Sequence, residues 1–513
     1  MPDKVLVANR GEVAVRVLRS CRELGLRTVA VFSEADRDMP HVRYADEAYG
    51  IGPPPAAESY LQGDRIVQIA LDAGAKLVHP GYGFLAEVPA FARKCLDAGL
   101  TFVGPRPETM ALLGDKPAAR GVARELGIPV LAGSESGLDD EGLLEAAERL
   151  GYPVMLKAVV GGGGMGIRAA YSRQELAAAI PRARQEAQAA FGGDEVYLER
   201  LVDGARHIEV QLLGDTHGHV VHLGERECSI QRRHQKLIEE APSRALDQEL
   251  RQRIHRAAVR IGRAVGYVSA GTVEFLLDPG GQFYFLEVNP RLQVEHTVTE
   301  AVTGIDIVKE QLRIAAGRDL HYTQDAVLSR GWGLECRILA EDPNRGFAPC
   351  VGEVSRLREP AGPGIRVDSG ISEGVTITPY YDSLLAKLIA WGETRAVAIV
   401  RMRRALAEYQ IAGVTTNLHL YRALMDSTRF LGGQFDTGFV EEAFPRQGDR
   451  ETLGAAKGWE AESDRRLAAA LTAALLEHRR RGGDDSDQRA QLSQGRVSRW
   501  KMLGRWELTN RWG

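Results

Sequence analysis

At 513 residues, 44% of them apolar and 26% charged, the chain has room for roughly three domains, each with its own core, and an ordinary globular composition. The formal net charge of −4, with both signs interspersed, argues against nucleic-acid and membrane-surface partners, and no apolar run approaches the roughly 18 residues a membrane span needs. Five scattered cysteines (Cys21, Cys95, Cys228, Cys336, Cys350) without CxxC spacing, and an N-terminus without signal-peptide layout, argue against a disulfide framework or zinc site and for a cytoplasmic location.

Residues 5–8 read as a strand, Asn9-Arg10-Gly11 as a turn, 13–24 as an amphipathic helix closed by Gly25, and 28–32 as the next strand. This βαβ unit opens a doubly wound parallel sheet, so the fold class is α/β at its start. Its first turn has one glycine where a dinucleotide fingerprint needs three, so it is not read as a NAD site. After Gly114-Asp115-Lys116 and a helix, an apolar strand at 154–160 carries Lys157 into Gly161-Gly162-Gly163-Gly164-Met165-Gly166. Glycines let backbone N–H groups converge on an anion and let a lid move, while a lysine supplies a point charge for phosphate. No Gly-Lys-Ser/Thr follows, and a plain surface loop is the alternative; Lys116 adds weight to the nucleotide reading.

From 196 to 238 the pattern is β-rich, alternating through His207-Ile208-Glu209-Val210-Gln211-Leu212. The run from Glu225 to Lys236 is too dense in functional groups for an ordinary core strand, an exposed charged loop being its alternative. A helix at about 247–265 precedes a hairpin at 271–289 with the turn Asp278-Pro279-Gly280-Gly281. Pairing Leu277 with Gln282 makes Glu274 and Glu287 diagonal neighbours on one face, with Val273, Phe275, Leu277, Tyr284 and Leu286 on the other. With Asn289 they are hard oxygen donors suited to Mg²⁺ beside nucleotide phosphates. A one-residue slip separates them, and two solvated glutamates are the alternative. If Asn289-Pro290-Arg291-Leu292-Gln293-Val294-Glu295-His296 is extended, Arg291, Gln293 and Glu295 share a side. A guanidinium fork for a small planar oxyanion then lies beside a carboxylate able to take its proton. Two helices, a mixed region at 331–445, an Ala/Leu-rich helix at 463–478, a polar linker at 479–487 and a tail with Trp500, Trp506 and Trp512 complete the chain.

In this order the motifs resemble the biotin carboxylases, a branch of the ATP-grasp fold, over about residues 3 to 445. The stretches that carry it are Ala8-Asn9-Arg10-Gly11-Glu12, His79-Pro80-Gly81-Tyr82-Gly83-Phe84-Leu85, Gly114-Asp115-Lys116, the glycine loop, Gln231-Arg232-Arg233-His234-Gln235-Lys236, Arg291-Leu292-Gln293-Val294-Glu295-His296 and Tyr380-Tyr381-Asp382-Ser383. The resemblance implies an N-terminal Rossmann-like domain (1–113), an ATP-grasp domain (114–330) with a glycine-rich lid (about 131–203), a mixed C-terminal domain (331–446) and an extension (447–513). It implies an ATP site of Lys116, Lys157, Gly162, Gly163, Gly164, Glu199, Leu201, His207, Gln231 and His234. Glu274, Glu287 and Asn289 match the Mg²⁺ (or Mn²⁺) positions. Lys236, Arg291, Gln293, Val294 and Glu295 match the bicarbonate pocket, with Glu295 the base. Arg337 matches the arginine that holds the biotin ureido oxygen, with Tyr82 and Asp382 beside it.

Two departures stand out: Met165 where the family usually has Arg or Lys, and Val88 where Asn often follows the glutamate. Altered ATP affinity or lid behaviour is expected from them. No Ala/Val-Met-Lys-Met biotinylation motif is present, so the expected partners are a separate biotin carboxyl carrier protein and a separate carboxyltransferase. A homodimer with Arg16 and Glu23 near its contact, or a larger hetero-oligomer, is also expected. The tryptophan-rich tail reads equally as a docking segment or as a segment folding back on its own domain. The rival readings are another ATP-grasp ligase and a degenerate scaffold that binds nucleotide without turnover.

Overall fold

The computed structural model describes residues 3–159, 167–233 and 235–443. Gly162, Gly163, Gly164, Met165, His234 and the expected C-terminal extension lie outside the described residues.

Strand β1 (Lys4–Val7) and helix α1 (Gly11–Glu23) open the chain. Gly11, at φ +64, makes the turn between them, a conformation glycine adopts without strain. Val13, Ala14, Val17, Leu18 and Cys21 recur at helical spacing and are buried against the sheet. Strands β2 (Arg27–Phe32), β3 (Glu47–Gly50), β4 (Leu77–His79) and β5 (Thr101–Phe102) complete a five-stranded sheet of order β3-β2-β1-β4-β5. Every pairing in it is parallel, the doubly wound start expected from the βαβ pattern.

The Gly114-Asp115-Lys116 motif is a helix start. Asp115 caps α2 (Lys116–Glu125) by accepting from the Ala118 amide at 2.8 Å. A small antiparallel sheet follows, with β6 (Val154–Ala158) between β7 (Arg168–Ala170) and β8 (Val196–Arg200).

The principal sheet has eight antiparallel strands. β9 (Arg206–Gly214), β10 (Val220–Arg232) and β11 (Gln235–Ala241) are followed by α3 (Gln248–Ala264), then by β12 (Ser269–Leu277) and β13 (Phe283–Asn289). Helices α4 (His296–Thr303) and α5 (Ile307–Ala315) precede β14 (Trp332–Leu339), β15 (Ile365–Ser369) and β16 (Leu384–Gly392). The spatial order is β13-β12-β9-β10-β11-β14-β16-β15, so strands on both sides of residue 330 share one sheet. Among the described residues no helix is long and apolar enough to cross a membrane.

Two local expectations need correcting. In the β12–β13 hairpin Leu277 pairs with Phe283, not Gln282, and a bulge between Glu274 and Phe275 shifts the register so that Glu274 faces Glu287 directly. One extra residue on one strand produces that shift. The core face accordingly holds Val273, Phe275, Leu277, Phe283, Phe285 and Val288, with Tyr284 and Leu286 outside that cluster. The stretch after Asn289 is not extended: Arg291 N bonds Asn289 O at 2.9 Å, and Glu295 is the residue before the first turn of α4. Arg16, expected near a dimer contact, takes part in an intrachain charge network. It is buried and lies 2.8 Å from both Glu300 and Asp306 of the same chain, whereas Glu23 is exposed beside Lys309.

Candidate active site

Register assembles the site. Glu287, Glu274, Glu209 and Arg226 are direct partners across β13, β12, β9 and β10. Directly opposed residues project to one face of a sheet, so these four form a charged row. From β11, Lys236 reaches into the row. Its Nζ lies 2.5 Å from Glu209, 2.8 Å from Glu274 and 2.7 Å from Glu295. Burial works against the ammonium, yet Glu209, Glu274 and Glu295 together hold its pKa well above the ordinary lysine value.

Glu295 is fully buried and bonded on its other oxygen by Arg337 at 2.8 Å. Burial favours its neutral form, but Lys236, Arg337 and Arg226 outweigh that and keep its pKa well below the ordinary carboxylate value. Arg337 in turn holds Glu239 at 2.5 Å. Burial pushes Glu239 up to about 7 despite that guanidinium. Arg291 is fixed by Glu87 at 2.6 Å, by Gln293 at 3.1 Å and by Asn289 at 3.2 Å. The turn thus gathers Arg291, Gln293 and Glu295 by hydrogen bonding instead of by strand alternation. Val294 contributes its carbonyl, which accepts from Lys387 Nζ at 3.0 Å.

Glu274 and Glu287, opposed across the hairpin, present oxygens beside the Asn289 amide, which donates to Glu274 at 2.9 Å. Glu287 is partly exposed, with Lys116 Nζ at 3.7 Å. This all-oxygen set fits a hard divalent cation such as Mg²⁺, with room left on Glu287 for phosphate-bound metal. Gln293 donates to the Glu274 carboxylate at 3.2 Å, and His207 Nε2 lies 3.0 Å from it without hydrogen-bond geometry.

On the expected nucleotide side, Lys157 and Glu199 are diagonal neighbours on β6 and β8, and their side chains meet at 2.5 Å. Arg120 of α2 pairs with the same carboxylate. Burial first, and the nearby Lys116 ammonium second, push Lys157 down to about 7 even with Glu199 in contact. Gln231 is buried opposite Lys236, and the Leu201 amide bonds back to Pro153 O at 3.1 Å.

Tyr82 and Asp382 are expected on the biotin side, and no hydrogen bond or ion pair joins either to Arg337 among the described residues. The Tyr82 hydroxyl is buried without a partner, and its ring centroid lies 5.7 Å from Lys387 Nζ. Asp382 is exposed, accepts from the Leu384 amide at 2.8 Å and lines a cleft with Arg10 and Tyr381. Tyr82 thus lies near Lys387, the direct cross-strand partner of Arg337, while the Asp382 carboxylate caps the start of its own strand.

Sequence reasoning missed Glu209, Arg226, Glu239, Arg120, Glu87 and Lys387. Glu209 sits at an alternating polar position of the 207–212 run, and Arg226 in the dense 225–236 run, so a signal existed for both. Arg226 is completely buried and donates to Gln211 at 2.6 Å and to Thr299 and Thr272 at 3.0 Å. No sequence pattern announces that network.

Comparison with known proteins agrees with this geometry. Residues 1–110 match the family model for the biotin carboxylase N-terminal domain, and residues 335–442 that for the biotin carboxylase C-terminal domain. Residues 115–323 match the carbamoyl-phosphate synthase L chain ATP binding domain. A biotin carboxylase from a Nostoc species is 51% identical over 441 residues, covering 86% of this chain and 99% of the relative. The chain belongs to the biotin carboxylase family. It is accordingly an ATP-dependent ligase with an ATP-grasp fold, serving the biotin carboxylase half-reaction. A pyruvate carboxylase subunit from Methanothermobacter thermautotrophicus is 49% identical, covering 86% of this chain and 90% of that one. Among solved structures, the biotin carboxylase domain dimer of Hydrogenobacter thermophilus 2-oxoglutarate carboxylase, in complex with MgADP, ADP and bicarbonate, superposes with a TM-score of 0.85 at 48% identity. It covers 89% of this chain and all of that one.

Proposed function

We propose that this biotin carboxylase carboxylates biotin carried on a separate carrier protein, using ATP and bicarbonate, as the first half-reaction of an acyl-CoA carboxylase such as one for acetyl-CoA or propionyl-CoA. The observation that supports it most is the convergence of Lys236 and Arg337 on Glu295, next to the opposed pair Glu274 and Glu287.

In this reading Lys116 and Lys157 hold the ATP phosphates, Glu199 and the backbone near Leu201 meet the adenine, and His207, Gln231 and His234 lie toward the ribose and phosphates. Gly162, Gly163 and Gly164 belong to the lid. Glu274, Glu287 and Asn289 hold Mg²⁺ or Mn²⁺, which offsets phosphate charge when bound. Glu295, ionised across the neutral range, is in its proton-accepting form. Its basicity rises as bicarbonate takes over Lys236, Arg291 and Arg337. It removes the bicarbonate proton, and the bicarbonate oxygen attacks the γ-phosphorus; the β–γ bridging P–O bond breaks, giving carboxyphosphate and ADP. Carboxyphosphate separates into CO₂ and phosphate, phosphate takes the proton of biotin N1′, and that nitrogen attacks CO₂. Arg337 stabilises the ureido oxyanion, a donor contribution of about 3 kcal/mol.

The domains implied are 1–113, 114–330 with the lid at about 131–203, 331–446 and the extension 447–513. The chain would act in the cytoplasm as a homodimer or in a larger assembly with carrier and carboxyltransferase subunits. A second reading, the same half-reaction serving a 2-oxoacid such as pyruvate, is favoured by the relatives that are subunits of pyruvate and 2-oxoglutarate carboxylases. The test is bicarbonate-dependent ADP release by the purified chain with and without free biotin. Stimulation by biotin that disappears in Arg337→Ala supports the reading. ATP cleavage indifferent to biotin points to a different ATP-grasp ligase.

A further inference from the structure

Lys387, like Arg226, is a fully enclosed cation of the site. It is 0% exposed in the middle of β16, directly opposite Arg337 on β14 and Asp368 on β15. Opposed residues of antiparallel strands project to the same face, so Lys387 and Arg337 stand side by side. Each grips one of two consecutive residues. Arg337 bonds the Glu295 carboxylate at 2.8 Å, and Lys387 donates to the Val294 carbonyl at 3.0 Å. The same ammonium lies 3.1 Å from Glu12 Oε2 on α1. Neither Glu12 oxygen has a hydrogen-bond partner of good geometry, and the side chain is buried. A buried ammonium is expensive unless paired, so an enclosed lysine aimed at one backbone carbonyl and one carboxylate is a specific arrangement, not filler.

We propose that Lys387 is a positioning residue for the turn that activates bicarbonate. It fixes the Val294 peptide so that the Glu295 carboxylate faces Lys236 and Arg337, and through Glu12 it ties that turn to the N-terminal sheet. The proposal rests on the assignment of bicarbonate to this pocket and goes beyond it by adding a residue that touches no substrate.

The experiment measures initial rates of bicarbonate-dependent ADP formation by the full chain, with KM determined separately for bicarbonate and for ATP. Lys387→Met keeps much of the volume and removes the donor; Lys387→Gln keeps a donor. In Lys387→Met the bicarbonate KM is expected to rise roughly tenfold or more, the size a lost hydrogen bond to a charged group carries, while the ATP KM stays unchanged. Lys387→Gln should recover part of the loss. Thermal unfolding reports whether each variant is folded. If Lys387→Met is not, Glu12→Gln keeps the Val294 contact, removes the countercharge and is expected to raise the bicarbonate KM in smaller measure. An unchanged bicarbonate KM in the folded variants, or a parallel rise of both KM values, overturns the proposal. A folded wild-type chain without bicarbonate-dependent turnover overturns the pocket assignment, and the proposal with it.

Discussion

Replacing Lys236 by methionine removes the common cation of Glu209, Glu274 and Glu295, which it meets at 2.5, 2.8 and 2.7 Å. The Lys236 side chain is only 12% exposed, so water does not replace its ammonium. Each carboxylate keeps another partner: Arg226 for Glu209, Asn289 and Gln293 for Glu274, and Arg337 for Glu295. The expected loss is therefore that of one broken buried pair, about 3–5 kcal/mol, and not three times that. Its pH dependence is the sharper test. In the wild-type protein Glu274 and Glu295 have depressed pKa values. Their contribution is fully present above the unfolded carboxylate value of about 4.3 and is lost as pH falls through the folded value. In Lys236→Met, burial and mutual repulsion raise those same groups, so the penalty grows with pH above that unfolded value and protonation relieves it. Urea unfolding followed by tryptophan fluorescence should show the wild-type–variant gap widening from roughly pH 5 to pH 8. A gap independent of pH across that range, or smaller than about 1 kcal/mol, would refute the reasoning.

Lys157, pushed down to about 7 by burial and by Lys116, is largely neutral at mildly alkaline pH, so binding ATP there should draw in a proton and affinity should fall as pH rises through that value. Calorimetry in buffers of different ionisation enthalpy measures the uptake; uptake that persists in Lys157→Met would assign it elsewhere. The tryptophan-rich tail gives a third prediction. Deleting residues 484–513 should weaken co-purification with the carrier protein if the tail docks it, and undiminished association would remove that role.

Most of the fold was legible because its signals are local. The βαβ opening, the capped helix after Gly114-Asp115-Lys116 and the β12–β13 hairpin each follow from periodicity and turn residues within about 30 positions. What escaped was register. No propensity marks a β-bulge, so the sequence pattern placed Glu274 and Glu287 as diagonal neighbours, whereas the shift between Glu274 and Phe275 opposes them. The carboxylates still converge, since either arrangement keeps both on one face. In the same way, alternation grouped Arg291, Gln293 and Glu295 for a reason the turn does not use.

The residues missed outright share a different cause. Glu209, Arg226, Glu239 and Lys387 are buried charges on strands whose neighbours look like core, and their meaning depends on partners far away in sequence. Arg226 reaches Thr272 and Thr299, and Lys387 reaches Val294 and Glu12. Such groups are costly alone and tolerable only as a network. A buried lysine or arginine in the middle of a β-strand is therefore a demand for a partner that the sequence does not name. In this chain those demands are met on one face of one sheet. That face carries Glu295, Arg337 and the paired glutamates, so the rigidity of the charged network and the geometry of the chemistry are one arrangement. Loosening a member, even one that touches no substrate, should therefore shift bicarbonate binding as well as stability.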